Sequence, residues 1–132
     1  MGCQYDFSID IWSLGCIIYE LLTSKILFPF SSPIENVAKA LALNDTFDIN
    51  LYKEGSEARN LLFGRKFLKV KKEGIEDLDL VVPKKGKNLK TILKELKISP
   101  ELSDFIQKCL KLNPIERISP ETALNHKFFT KY

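Results

Sequence analysis

Apolar residues run almost unbroken from Ser8 to Leu22, and the run carries no Lys or Arg. At about 100° per residue it reads as a helix that is apolar nearly all the way round. Ser13 and Glu20 share one narrow polar strip. Asp10 falls outside that strip, on a side shared with Leu14, Ile17 and Leu21. A helix with so little polar surface belongs in a core. A carboxylate on its apolar side then needs hydrogen-bond donors, from the first helical turn or from a loop elsewhere, because burying an unpaired charge costs several kcal/mol. Ser8 is the expected N-cap, Asp10 suits the first turn, and the helix should end near Thr23-Ser24.

Later segments carry the same helical periodicity. Ser32-Pro33-Ile34-Glu35 opens a helix with a cap, a first-position proline and a capping-box glutamate, and Val37, Ala38, Leu41 and Ala42 carry it to about Leu43. The Ser-Pro opening recurs at Ser99-Pro100, before Leu102, Phe105, Ile106, Cys109 and Leu110, and at Ser119-Pro120, before a shorter helix ending near His126. A Ser-Pro pair is also a phosphorylation motif, but the periodicity after each pair favours caps. Leu89, Ile92, Leu93 and Leu96 suggest one more short helix. Between these helices, 66–70 and 78–82 read as two strands joined through Gly74 as a hairpin. The expected class is therefore mainly α with a short β-hairpin.

Composition changes this picture little. The chain has 132 residues, 45% hydrophobic and 28% charged, which is ordinary for one soluble domain. A net charge of +3 is too small to argue for nucleic acid, and the 9–22 helix is too short for a membrane span. No signal peptide is expected. The charge is uneven: residues 44–97 hold 13 Lys+Arg and 9 Asp+Glu, and the remainder is slightly acidic. Arg65, Lys66, Lys69, Lys71 and Lys72 in this stretch are the candidate docking surface for an acidic partner. The competing reading is a solvated insert of mixed charge, which the interleaved acids fit better. Cys3, Cys16 and Cys109 are odd in number and lack CxxC spacing, as buried free thiols in a reducing compartment would be.

Catalytic chemistry is nearly absent. His126 is the only histidine, and beside Lys127-Phe128-Phe129 it reads as a packed or capping residue. The six glycines are scattered singly, so there is no phosphate-cradling loop, and no Cys/His set has metal-ligand spacing. Two constellations remain. The first is Asp10-Ile-Trp12-Ser-Leu-Gly15, where a mid-helix glycine costs about 1 kcal/mol against alanine and so suggests close approach of another backbone. The second runs from Leu112-Asn-Pro114-Ile-Glu-Arg117 through Ala123-Leu-Asn-His126-Lys-Phe-Phe129. Arg117 in it is either a surface cation or a partly buried guanidinium paired with a carboxylate.

Together these segments resemble the C-terminal lobe of a eukaryotic protein kinase, from just after its Ala-Pro-Glu motif, over essentially all of residues 1–132. The Ser-Leu-Gly-Cys-Ile form and a long basic insert (residues 44–98) are similar to the CMGC group. Lys25-Ile-Leu-Phe-Pro29, Phe47-Asp48-Ile-Asn50 and the hairpin resemble its DYRK-like, pre-mRNA-processing splicing kinases. The resemblance implies structural roles for Asp10, Trp12, Gly15 and Arg117. Asp10 would accept hydrogen bonds from a catalytic loop, and Arg117 would pair with the glutamate of Ala-Pro-Glu. The complete enzyme would use ATP and magnesium to phosphorylate Ser/Thr of protein substrates, in the nucleus if splicing-related and otherwise in the cytoplasm, with no direct nucleic-acid or membrane partner. The Gly-rich loop, His-Arg-Asp and Asp-Phe-Gly would all precede Met1. No catalytic, cofactor-binding or metal-binding residue is therefore expected here, and the chain alone should be inactive and marginally stable. The alternatives are a non-catalytic docking module or a truncated relic.

Overall fold

The computed structural model describes residues 6–29, 33–44, 69–71, 74–77 and 87–130. The chain divides into two compact units, Met1–Gln4 with Phe30–Gly86, and Tyr5–Pro29 with Lys87–Tyr132. The described residues are mainly helical, as expected.

In the second unit, α1 spans Ser8–Thr23. Its start differs from the expected one. Ser8 is already helical, and the carboxylate of Asp6 accepts its N–H at 2.9 Å. The cap comes from two residues earlier because Phe7 already has helical dihedrals. Ser24 ends the helix in the left-handed region (φ 54°) and donates its N–H to the Glu20 carbonyl. The Glu20 side chain is also used: its Oε1 accepts the Leu27 N–H at 3.0 Å and folds the chain back. Leu27 is thereby buried, and the Phe28 ring stacks on Trp12.

The remaining helices of this unit each begin at a side-chain cap. Asn88 accepts the Thr91 N–H and opens α3, Leu89–Glu95. Ser99 accepts the Leu102 N–H and opens α4, Pro100–Cys109. Asn113 caps a 3-10 turn at Pro114–Glu116, and Ser119 caps α5, Pro120–Leu124. At Ser99, Asn113 and Ser119 the next residue is a proline, which lacks the N–H that the first turn would leave unbonded. Finally, α6, Lys127–Thr130, begins where His126 Nδ1 accepts the Phe128 N–H at 3.2 Å.

The core of this unit gathers Ile11 from α1, Phe105 and Cys109 from α4, and Ile118 and Ala123 after them. Phe105 is fully buried, with the rings of His126, Phe128 and Phe129 around it. Helix α1 crosses α4 at Gly15. A Cβ there would lie 2.8 Å from Cys109 Cβ and 2.9 Å from the Leu110 side chain. The close approach inferred from this glycine is real, but side chains make it rather than a second backbone.

In the other unit, α2 covers Pro33–Leu43 with proline at its first position, and Ala40 and Leu43 are buried. The Ser32 cap lies outside the described residues. A hairpin is present with different strands from those expected: β1 is Lys69–Lys71 and β2 is Gly74–Asp77, antiparallel, pairing Lys69 with Asp77 and Lys71 with Gly74. The pairing strand thus comes from residues read as the loop, and Gly74 sits in a strand. Residues 78–82 lie outside the described residues. Of the 44–98 stretch, Lys87 onward belongs to the second unit, where Leu89 and Leu93 are buried.

Candidate functional site

The residues singled out in the two constellations meet on and around α1. Arg117 follows the 3-10 turn, where Pro114 and the Asn113 cap bend the chain back toward the start of α1. Its Nε donates to the Lys111 carbonyl at 2.7 Å and its Nη2 to the Leu112 carbonyl at 3.2 Å. Its Nη1 donates to the Ser8 carbonyl at 3.1 Å, with Ser8 Oγ at 3.5 Å. The guanidinium carbon sits 4.9 Å from the centroid of the Trp12 ring. The surface-cation reading therefore fails. The planar fork reaches three carbonyls and an aromatic face at once, an arrangement that a lysine ammonium does not match.

This brace fixes the N-terminal end of α1. Asp6 lies in the same corner, and its carboxyl is held below the usual range, first by its hydrogen bonds with Ser8 and further by the Arg117 charge. Trp12 is half-buried between Arg117 and Phe28. Gly15 is buried against α4.

Asp10 is exposed, not buried. The reason is the face it belongs to: Leu14, Ile17 and Leu21 on the same side are exposed too, Ile17 at 55% and Leu21 at 78%. The buried side of α1 is the opposite one, carrying Ile11, Gly15 and Tyr19. At the C-terminal end of the exposed face, Ile17, Glu20, Leu21, Ser24, Lys25 and Ile26 line an open cavity of about 320 Å³. Sequence reasoning linked Ile17 and Leu21 to Asp10, but missed Ser24, Lys25 and Ile26. They join this face only because Glu20 turns the chain back.

Of the candidate docking residues, Lys69 and Lys71 lie on β1, in the unit that excludes Arg117. Arg65, Lys66 and Lys72 lie outside the described residues.

Neither the thiols nor the histidine is poised for catalysis. Burial pushes the Cys16 thiol up to about 11, with a further push from Glu20, and burial pushes Cys109 up to about 11. Both are free, and at neutral pH both are protonated and poor nucleophiles. His126 is buried and uses both ring nitrogens. Its Nδ1 accepts from Phe128, so Nε2 carries the proton and donates to Asp104 Oδ2 at 3.0 Å. That carboxylate also takes Lys108 Nζ at 2.7 Å.

Among the described residues no group of three or more His, Cys, Asp or Glu is placed to hold a metal ion, and no helix is long and apolar enough to cross a membrane. What this site offers is a surface: a braced helix with an apolar face and one carboxylate.

Comparison with known proteins gives the chain relatives. The family model described as protein kinase domain matches residues 1–129. Serine/threonine-protein kinase prp4 of Schizosaccharomyces pombe is 33% identical over 145 residues, covering 99% of this chain and 30% of that protein. Serine/threonine-protein kinase prpf4B of Dictyostelium discoideum is 30% identical over 146 residues, covering 100% of this chain and 18% of that protein. Mitogen-activated protein kinase p38a of Drosophila melanogaster is 30% identical over 129 residues, covering 98% of this chain and 31% of that protein. The chain thus spans less than a third of the length of these relatives.

Proposed function

Because the chain belongs to the protein kinase domain family, with CMGC serine/threonine kinases among its relatives, we propose that it supplies the C-terminal lobe of such a kinase and performs none of the phosphoryl-transfer chemistry itself. The exposed face of α1 carries this reading. Asp10, Leu14, Ile17 and Leu21 recur at spacings of four, three and four, the seam along which one helix packs on another. Covering a large aliphatic side chain contributes roughly 1.5–3 kcal/mol if it was fully exposed, and less here because each is partly covered already. The face therefore holds several kcal/mol for a partner that fits it.

Phosphoryl transfer depends on positioning and on metal-held phosphates. In the complete enzyme, Mg-ATP supplies the phosphate and a protein Ser/Thr hydroxyl accepts it. The part played by this chain is mechanical. The seam seats the rest of the kinase domain, and Asp10 at its end offers an acceptor to donors that arrive with it. Arg117 and Trp12 keep the helix from tilting. The similarity to prp4 and prpf4B supports the splicing-kinase branch, and with it a nuclear setting and protein substrates of the splicing machinery.

A chimera tests this. This chain replaces the matching segment of the Schizosaccharomyces pombe prp4 kinase domain. The chimera is expected to phosphorylate a Ser/Thr protein substrate with Mg-ATP, and the Ile17→Asp/Leu21→Asp chimera to lose that activity. The 132-residue chain alone is expected to transfer no phosphate. An inactive chimera, a double variant as active as the parent, or transfer by the chain alone overturns the proposal.

A further inference from the structure

Helix α3, Leu89–Glu95, buries Leu89 and Leu93. Lys90 and Lys94 each follow one of these by a single residue, which places both about 100° round the helix from the buried line, on one flank. Lys97 continues that flank just past the helix end. All three are exposed, and none forms an ion pair among the described residues. The opposite flank is different. Its Glu95 is already held by Lys87 Nζ at 2.6 Å, and Thr91 is neutral. One side of this short helix is therefore neutralised, and the other presents three open cations.

Both the spacing and the backbone work against stability. Like charges four apart on a helix cost about 0.2–0.5 kcal/mol. Lys97 occupies the left-handed position after the helix (φ 52°), with its N–H on the Lys94 carbonyl. Glycine is the ordinary residue there, and any other costs roughly 1–2 kcal/mol. The helix dipole favours cations at this end and offsets part of the cost for Lys94 and Lys97, but none of it for Lys90 in the first turn. Strain held at an exposed position without a packing return marks a place of use.

We propose that Lys90, Lys94 and Lys97 form a docking surface for an acidic peptide segment. Cβ atoms four apart on a helix lie about 5–6 Å from each other. Carboxylates at alternate positions of an extended peptide lie about 6.6–6.8 Å apart, which long lysine side chains span. The chain's net charge of +3 is too small for a nucleic-acid partner. This flank has no exposed apolar residue to enter a membrane.

The surface is independent of the kinase reading, and the 132-residue chain suffices to test it. A capped hexaglutamate peptide is titrated into the isotopically labelled chain and followed by amide shifts. Shifts are expected at residues 90–97, with affinity falling about tenfold as ionic strength rises from about 0.05 M to about 0.5 M. The Lys90→Gln/Lys94→Gln/Lys97→Gln variant is expected to lose this binding with an unchanged circular dichroism spectrum. A control, Lys39→Gln/Lys111→Gln/Lys127→Gln, is expected to stay within about twofold of the parent, as surface changes away from a site do. No binding at low salt, equal losses in the two variants, or tighter binding of a uridylate octamer or of phosphatidylserine vesicles overturns the proposal.

Discussion

Arg117 donates a hydrogen bond to the carbonyl of Ser8, 109 positions earlier in the chain, while its guanidinium lies over the ring of Trp12. This one side chain joins the start of α1 to the turn before α5. It does so by meeting the carbonyls of Lys111 and Leu112, in irregular chain, together with that of Ser8 in the first turn of α1.

Replacing it with lysine should therefore not be conservative. A lysine has three donors on one atom and cannot reach Lys111, Leu112 and Ser8 together. Arg117→Lys is expected to destabilise the chain by about 1–3 kcal/mol, the range for losing buried hydrogen bonds. Urea unfolding monitored by Trp12 fluorescence measures it. A change below about 0.5 kcal/mol would show that the brace is decorative.

Gly15→Ala sets two effects against each other. Alanine gains about 1 kcal/mol of helix propensity. The added Cβ would sit 2.8 Å from Cys109 Cβ, an atom fixed to the backbone of α4, and 2.9 Å from Leu110. Overpacking of this kind costs roughly 1–3 kcal/mol, so the net expectation is destabilisation. A raised midpoint of thermal unfolding would refute the close crossing.

At Ser24 the direction reverses. The residue is exposed and held at φ 54°. Ser24→Gly relieves the left-handed strain but increases the entropy of the unfolded chain, for a net gain of about 0.5–1 kcal/mol. The thermal midpoint should rise. A fall would mean that the αL end is not populated in solution.

Acid stability should depend on Asp104. Lys108 above all holds its carboxyl below the ordinary value of 3.8, against the opposing effect of burial, and the hydrogen bond with His126 lowers it further. A depressed native pKa adds stability that is complete above the unfolded value and lost as pH falls through the native one. Because the side chain is 53% exposed, the contribution is about 0.5–1 kcal/mol. Asp104→Asn is therefore expected to lower stability near pH 6 by about that amount and to flatten its decline below pH ~4. Parallel pH curves for parent and variant would refute the assignment.

Of the three cysteines read as buried free thiols, Cys3 lies outside the described residues, Cys109 is buried and Cys16 half-buried. Cys16 in an apolar helix and Cys109 in an apolar stripe are free, and burial raises both thiols. The Ser99 and Ser119 caps were legible, because cap chemistry involves only residues within three positions of each other. Ser8 failed as a cap for an equally local reason: Phe7 already has helical dihedrals, so Ser8 lies inside the first turn and donates its own N–H to the Asp6 carboxylate.

The hairpin was recognisable in kind but not in register. The apolar-rich runs at 66–70 and 78–82 mark extended chain, yet they do not fix which residues pair. The observed pairing of Lys71 with Gly74 draws on residues that read as loop.

Periodicity along α1 showed that it is apolar nearly all the way round, and the sequence motifs alone identified its family. Which side is covered was not decidable there, since a hydrophobic pattern states a demand for burial and not which neighbour meets it. Packing decided it. Gly15 lets α4 come close enough to claim one side, and Arg117 locks that choice by reaching the Ser8 carbonyl. Asp10 is left facing outward with the other. An acceptor such as Ser8 lies 109 residues away, and distance along the chain says nothing of distance in space.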